Sequence, residues 1–244
     1  MIPERYVWLA WASAFLVPWG LLYWRLPAQR PAMRWASVFT TPFGLTEPLF
    51  VPEYWNPPSL FDLAQRTGFD IESLIFCFGI GGVAAVLVNA LTRRVLIPME
   101  TDARRQGRHR LHRWVLFVPF GAFVALLPLG WNPIYPGIVA MVAGAAAGGW
   151  CRPDLLRSTA IGSVVFTLYY AVFLAVLEWS GPPGYITTVW NLEALSGIVL
   201  GFMPLEELLF AAGFGAYWGG VYAHVTWHHS QPDRQEERAH ALAS

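Results

Sequence analysis

Glu206 and Glu207 are adjacent carboxyls inside the apolar run Met203-Pro204-Leu205-Glu206-Glu207-Leu208-Leu209-Phe210. Glu72 sits in a similar run, Phe69-Asp70-Ile71-Glu72-Ser73-Leu74-Ile75-Phe76. Acids inside an apolar segment of membrane length are costly, and they mark function by default. Two carboxyls in one low-dielectric site repel, and desolvation disfavours their charge, so at least one should keep its proton. That is the condition for a general acid. Neighbouring helical residues point about 100° apart, so Glu206 and Glu207 should face different partners. The structural alternative is a carboxyl that caps a broken helix or pairs with a buried Arg, yet no Arg falls inside a predicted span. Glu206, Glu207 and Glu72 are the expected catalytic residues.

The remaining acids read differently. Asp70 has the position of a helix N-cap. Glu47 and Glu53 could line the same cavity as the three glutamates or belong to an outer loop, and the sequence leaves both readings open. Glu178 and Glu193 bracket an outer loop and read as interfacial. The aromatic share is 16%, with 13 Trp. Aromatic faces stabilise cations, so Tyr169, Tyr170 and Tyr217, all within predicted spans, are expected to line a pocket. Anchoring at the lipid interface accounts for most of the other rings.

Other chemistries find little support. His224, His228 and His229 include the i, i+4 spacing of a metal pair. A di-iron hydroxylase needs several such boxes, so the cluster reads as a helix end and no metal site is expected. Cys77 and Cys151 lie in apolar surroundings and offer neither a disulfide framework nor a zinc spacing. Gly79-Ile80-Gly81-Gly82 has no strand before it and reads as helix packing, not a dinucleotide loop. Lys is absent, which excludes a retinal Schiff base. Glu206-Glu207 begins like the EExxxR motif of intramembrane prenyl-protein proteases, but position 211 is Ala. No cofactor is expected.

The elements that must position these residues follow from composition. The chain has 244 residues, 55% hydrophobic and 13% charged, with no net charge. A soluble domain carries about 25% charge. The balance also argues against nucleic acid as a partner. The expected class is an all-α polytopic membrane protein. About seven transmembrane helices are predicted: 6–24, 35–51 (short and broken by Pro42 and Pro48), 70–92, 114–130, 134–150, 158–179, and 193 to about 224 with a kink or tilt at Pro204. The first reads as a span and not a signal peptide, lacking a basic n-region and a small-residue cleavage site. All Arg except Arg5 and Arg66 fall in alternate loops and the tail: Arg25, Arg30 and Arg34; Arg93, Arg94, Arg104, Arg105, Arg108, Arg110 and Arg113; Arg152 and Arg157; Arg234 and Arg238. Positive charge stays inside, so the N-terminus is predicted outside and the C-terminus cytoplasmic. The basic third loop sets topology more readily than it binds anionic lipid.

An internal repeat emerges at an offset of about 134 residues. Glu72 matches Glu206, Phe76 matches Phe210, and Gly79 and Gly81 match Gly213 and Gly215. Trp55-Asn56 matches Trp190-Asn191 with a one-residue gap, and Arg30-Pro31 matches Arg152-Pro153. Spans one to three thus correspond to spans five to seven, and span four makes the two copies parallel. The predicted divisions are 1–92 (first three-span repeat), 93–133 (basic loop and linking span), 134–226 (second repeat) and 227–244 (tail). Parallel repeats imply a pseudo-twofold axis along the membrane normal and a site at the repeat interface, with Glu72 and Glu206 facing each other across it.

Tandem three-span repeats, a linking span and the motif Pro204-x-Glu206-Glu207-x-x-Phe210 resemble the lycopene cyclase domain family, the integral-membrane type distinct from flavin-dependent cyclases. Asp70 and Ser73 stand in the first repeat where the motif has Pro and the second Glu, so the chain resembles a divergent member. The resemblance implies a non-redox ring closure of a linear carotenoid end group: an acid protonates a terminal double bond, a carbocation closes to a six-membered ring, and a base removes a proton. It implies Glu206 or Glu207 as donor and Glu72 as partner or base. Pro204, Phe210, Phe76, Tyr169, Tyr170, Tyr217, Trp55, Asn56, Trp190 and Asn191 would line the substrate site. The implied partners are an apolar polyene or isoprenoid substrate, the lipid bilayer and other membrane enzymes of carotenoid synthesis. Arg as the sole strong base suggests a GC-rich bacterial gene and a plasma membrane. Two other readings stay open. An intramembrane hydrolase would cluster Glu206, Glu207 and His224 around a metal. A transporter or scaffold would show a water-accessible path between the repeats.

Overall fold

The computed structural model describes residues 3–104 and 106–232. Arg105, Arg234, Arg238 and the predicted tail beyond 232 lie outside the described residues. Helix dominates. The main α-helices are α1 (Val7–Ala14), α2 (Leu16–Arg25), α3 (Arg30–Thr40), α4 (Ile71–Thr92), α5 (Val118–Leu126), α6 (Ile134–Cys151), α7 (Leu156–Ser180) and α8 (Leu205–Val225). Strands are short: β1 (Arg94–Pro98), β2 (Val199–Leu200), β3 (Met203–Pro204) and β4 (His228–Pro232).

Among the described residues, four helical stretches are long and apolar enough to cross a membrane: Glu4–Arg25, Ile71–Thr92, Ile134–Cys151 and Pro153–Ser180. They coincide with predicted spans one, three, five and six. Trp114–Leu129, at predicted span four, is apolar but shorter. Predicted span two is α3 followed by the 3-10 helix Thr41–Leu49. Pro42 at the start of that segment and Pro48 within it remove two amide donors, and the chain tightens instead of continuing as α-helix.

Predicted span seven needs correction. Residues 193–204 are apolar but not α-helical. Gly197 and Gly201 take φ of +74° and +73°, a left-handed backbone that glycine adopts without steric cost. β2 and β3 then pair as a tight ribbon, and Pro204 is the N-cap of α8. Pro204 therefore marks the beginning of the helix and does not kink it. Glu206 and Glu207 lie in its first turn and not midway along a span.

The helices are held close by small residues. A Cβ on Gly162 of α7 would stand 2.7 Å from the Gly215 carbonyl oxygen of α8, so the two backbones touch as small-residue helix pairs do in lipid. Gly81 of α4 abuts the Thr40 side chain of α3 in the same way. Along α7, Phe166, Tyr170 and Leu174 are buried, while Val164, Leu168, Val172 and Val176 form an exposed apolar stripe at helical spacing. Such a stripe suits lipid, not water.

Two antiparallel contacts join the halves of the chain. Trp55 and Trp190 form an isolated bridge, flanked by Asn56 N–H donating to Val189 O at 2.8 Å and Asn191 N–H donating to Tyr54 O at 2.9 Å. β1 pairs with β4 along their full lengths, with Leu96 opposite Ser230 at the centre. Each strand leaves its helix through a residue with positive φ, Arg93 at 50° and Trp227 at 57°.

Candidate active site

α1, the Thr41–Leu49 segment and α4 to α8 enclose a cavity of about 390 Å³, within the usual size range of ligand sites. Its wall is mostly aromatic and aliphatic. Two carboxylates face it, Glu47 and Glu207.

Glu207 is buried. The start of α8 sets it at the cavity wall, where the first-turn amides of the helix favour negative charge. Three donors converge on it. Tyr170 O–H donates to Oε2 at 2.7 Å and Trp190 Nε1–H donates to Oε1 at 2.7 Å. Tyr54 O–H also donates to Oε1. Tyr54 lies in the connection between α3 and α4. Burial and the adjacent Glu207 charge push its hydroxyl well above the ordinary tyrosine range, so it stays protonated as a donor. Glu47 is buried too and has a simpler environment: Trp55 Nε1–H donates to its Oε1 at 2.7 Å. The Trp55–Trp190 bridge thus carries one indole to each cavity carboxylate.

The aromatic lining is ordered around Tyr170. Its ring centroid lies 6.3 Å from Phe76 and 6.0 Å from Phe210, and 5.7 Å from Phe173. Phe43, Phe120 and Val124 line the cavity and are also exposed on the protein surface. The cavity therefore opens sideways between the Thr41–Leu49 segment and α5, through apolar side chains.

Of the residues singled out in the sequence, Glu207, Phe210, Phe76, Tyr170, Tyr217, Trp55 and Trp190 line this cavity. Tyr217 also donates to Leu116 O at 3.2 Å. Glu206 points elsewhere: its Oε1 accepts from Tyr135 O–H at 2.8 Å and from Ser196 N–H at 2.9 Å. Glu72 accepts from Leu60 N–H at 2.7 Å. Among the described residues, no hydrogen bond joins the two and no donor is shared between them. Each instead tethers the loop ahead of its own helix, and each has a buried Oε2 with no partner among the described residues. Pro204 is buried at the start of α8. Tyr169 packs half-buried against Phe15 and Phe166. Asn56 and Asn191 act through the backbone bonds beside the Trp bridge, and Asn191 Nδ2 donates to Glu53 O at 3.2 Å. Asp70 is the N-cap of α4, accepting from Ser73 N–H. His224 lies seventeen residues beyond Glu207 on α8, about 26 Å along the axis, so the three-residue cluster expected of a hydrolase is not formed.

Glu47 had two open readings in the sequence, and the structure places it on the cavity wall. Tyr54 was missed. It adjoins the repeated Trp55-Asn56 pair, but Val189 stands at the matching place in the second copy, so no repetition marked it.

Residues 132–225 match a family model described as lycopene cyclase. The match supports a lycopene cyclase family member. It runs from the connection before α6 to the end of α8, and so contains Glu206, Glu207, Tyr170 and Trp190. No curated protein and no solved structure matches the chain. A lycopene cyclase match supports carotenoid cyclase activity in general terms. Together with the four membrane-length helices it points to a membrane location.

Proposed function

We propose that this protein closes a ring on the end of a linear, lycopene-type polyene inside the membrane by moving a proton in and a proton out. One carboxyl protonates the terminal double bond. The resulting tertiary carbocation is attacked by a neighbouring double bond of the same chain, forming the ring's C–C bond. A carboxylate then removes a proton to restore an alkene. The substrate and product have the same formula, so no redox partner is required.

The observation that carries this reading is the presence of Glu47 and Glu207 on the wall of one apolar, aromatic cavity. Tyr54, Tyr170 and Trp190 donate to the two oxygens of Glu207, an arrangement that positions its carboxyl to accept the proton. Glu47 accepts from Trp55 Nε1–H and adjoins Ser73 in the same dry surroundings, which suits it to deliver one. Phe76, Tyr170 and Phe210 supply π-faces for the developing cation. The volume accommodates an end group, and the apolar mouth beside Phe120 and Val124 would let the rest of the polyene extend into lipid. Glu72 and Glu206 serve in this scheme as positioning residues that hold the loops ahead of α4 and α8.

The tandem-repeat reading gains support from matched contacts. Gly79 and Gly213 abut the first helical stretch of their copies, at Phe15 and Met141, and Gly81 and Gly215 abut the second, at Thr40 and Gly162. Trp55 bridges Trp190, and Leu96 faces Ser230. These are pairs of equivalent positions, as a twofold axis along the membrane normal requires. Seven crossings, with the N-terminus outside and the C-terminus cytoplasmic, complete the proposed topology.

The direct test is pigment analysis of lycopene-accumulating bacteria that express the chain. Monocyclic or bicyclic carotenes are expected with the native sequence and only lycopene with Glu207→Gln. Ring formation undiminished in Glu207→Gln would sink the assignment.

A further inference from the structure

We propose that His109, His112 and Cys151 bind a zinc ion that fastens the basic loop after β1 to the end of α6. Cys151 is the last residue of α6. His109 lies in the 3-10 turn Gly107–Leu111, and His112 follows that turn. The Cys151 sulfur stands 3.6 Å from Nδ1 of His109 and 3.6 Å from Nδ1 of His112. All three candidate ligand atoms lie within 4.8 Å of one another.

Two of the three separations have the length of an edge in a coordination polyhedron. Zinc bonds of about 2.3 Å to sulfur and about 2.05 Å to nitrogen, opened to a tetrahedral angle, set a sulfur–nitrogen edge of about 3.6 Å. Both sulfur–nitrogen edges here have that length. One thiolate with two imidazoles also selects zinc over the oxygen-seeking magnesium and calcium. Three protein ligands leave a fourth position for water. Binding releases the thiol proton and draws on neutral imidazoles.

The ligand rings are held in place. The His112 ring lies between Trp227, centroids 3.6 Å apart and planes 12° apart, and His224, at 4.0 Å and 5°. His224 Nε2 is 3.0 Å from the His112 carbonyl oxygen, which ties α8 to the same cluster. Coordination through Nδ1 leaves the ring proton on Nε2. That nitrogen has no hydrogen-bond partner among the described residues, so stacking against Trp227 and His224 is what orients the ring. None of the three ligands lines the large cavity, so the ion would have a structural role independent of ring closure.

The experiment uses the untagged full chain, purified in detergent, stripped with chelator, reloaded with zinc and desalted, with bound metal measured by mass spectrometry. About one zinc per chain is expected, as one set of three protein ligands holds one ion. Cobalt(II) in place of zinc should show a thiolate charge-transfer band and the strong visible bands of four-coordination. Cys151→Ser should lose the charge-transfer band. His109→Asn should weaken zinc affinity by more than about 100-fold, beyond the effect of changing outer residues. His229→Asn, outside the cluster, should bind as the native chain does. If Cys151→Ser fails to fold, His109→Asn carries the test. Less than about a tenth of a zinc per chain in the reloaded native protein, or undiminished binding in His109→Asn, overturns the site.

Discussion

Trp55 and Trp190 stand 5.3 Å apart, centroid to centroid, across an antiparallel bridge, and their indole N–H groups donate to different carboxylates, Glu47 and Glu207. One backbone contact therefore aligns both acids of the cavity. Trp190→Phe keeps an aromatic face and removes the donor to Glu207. A hydrogen bond to a charged group contributes about 1.5–3 kcal/mol, so ring formation should slow roughly 10- to 100-fold. Initial rates on lycopene in detergent or liposomes measure it. Trp55→Phe should produce a loss of similar size through Glu47.

Proton delivery and removal should each depend on one cavity carboxyl. General acid–base groups contribute about 10²- to 10⁴-fold. Glu47→Gln and Glu207→Gln are each expected to lower turnover by that factor while leaving the protein folded and able to bind lycopene. Glu193→Gln, whose side chain does not line the cavity, is the control and should cyclise normally. Product analysis by chromatography separates these outcomes, and normal cyclisation in Glu47→Gln would remove Glu47 from the mechanism.

Glu72 and Glu206 should affect stability more than chemistry. Each accepts a backbone N–H from the preceding loop, Leu60 and Ser196 respectively. Glu72→Gln keeps an acceptor oxygen and should retain most activity. Glu72→Ala leaves the Leu60 amide without its acceptor, a cost of about 1–3 kcal/mol. Thermal unfolding in detergent should show a lower midpoint for the alanine variant than for the glutamine variant. Loss of activity in Glu72→Gln at unchanged stability would return Glu72 to the catalytic group.

Much of the helical frame was legible because hydropathy reports which segments exclude water. It identified the stretches around α4, α6 and α7 to within a few residues, and it placed Glu207 in the stretch that holds α8. Hydropathy does not report backbone conformation. Residues 193–204 are as apolar as a span, yet Gly197 and Gly201 turn the chain left-handed there, and Glu207 moved from mid-span to a helix start. Glu47 gave an ambiguous signal, since its burial depends on Trp55 eight residues away and on the cavity formed by later helices. Cys151 lies 42 positions beyond His109 and 39 beyond His112, across predicted spans four and five. Only the packing of the loop against α6 and α8 joins them, and no local spacing marks it.

Close approach of α7 to α8 should be the most sensitive packing point away from the acids. Gly162 and Gly215 face each other backbone to backbone, and a Cβ on Gly162 would lie 2.7 Å from the Gly215 carbonyl. The helices cannot accept that methyl without separating. α8 carries Glu207 and α7 carries Tyr170, which donates to it, so separation acts on the site as well as on stability. Overpacking of this kind costs about 1–3 kcal/mol. Gly162→Ala should lower the unfolding temperature and reduce turnover together. Gly137→Ala, at a cavity-lining glycine whose added Cβ would meet nothing within 4 Å, should leave the unfolding temperature where it is. Equal melting of Gly162→Ala and the native chain would show that the two helices do not pack this closely.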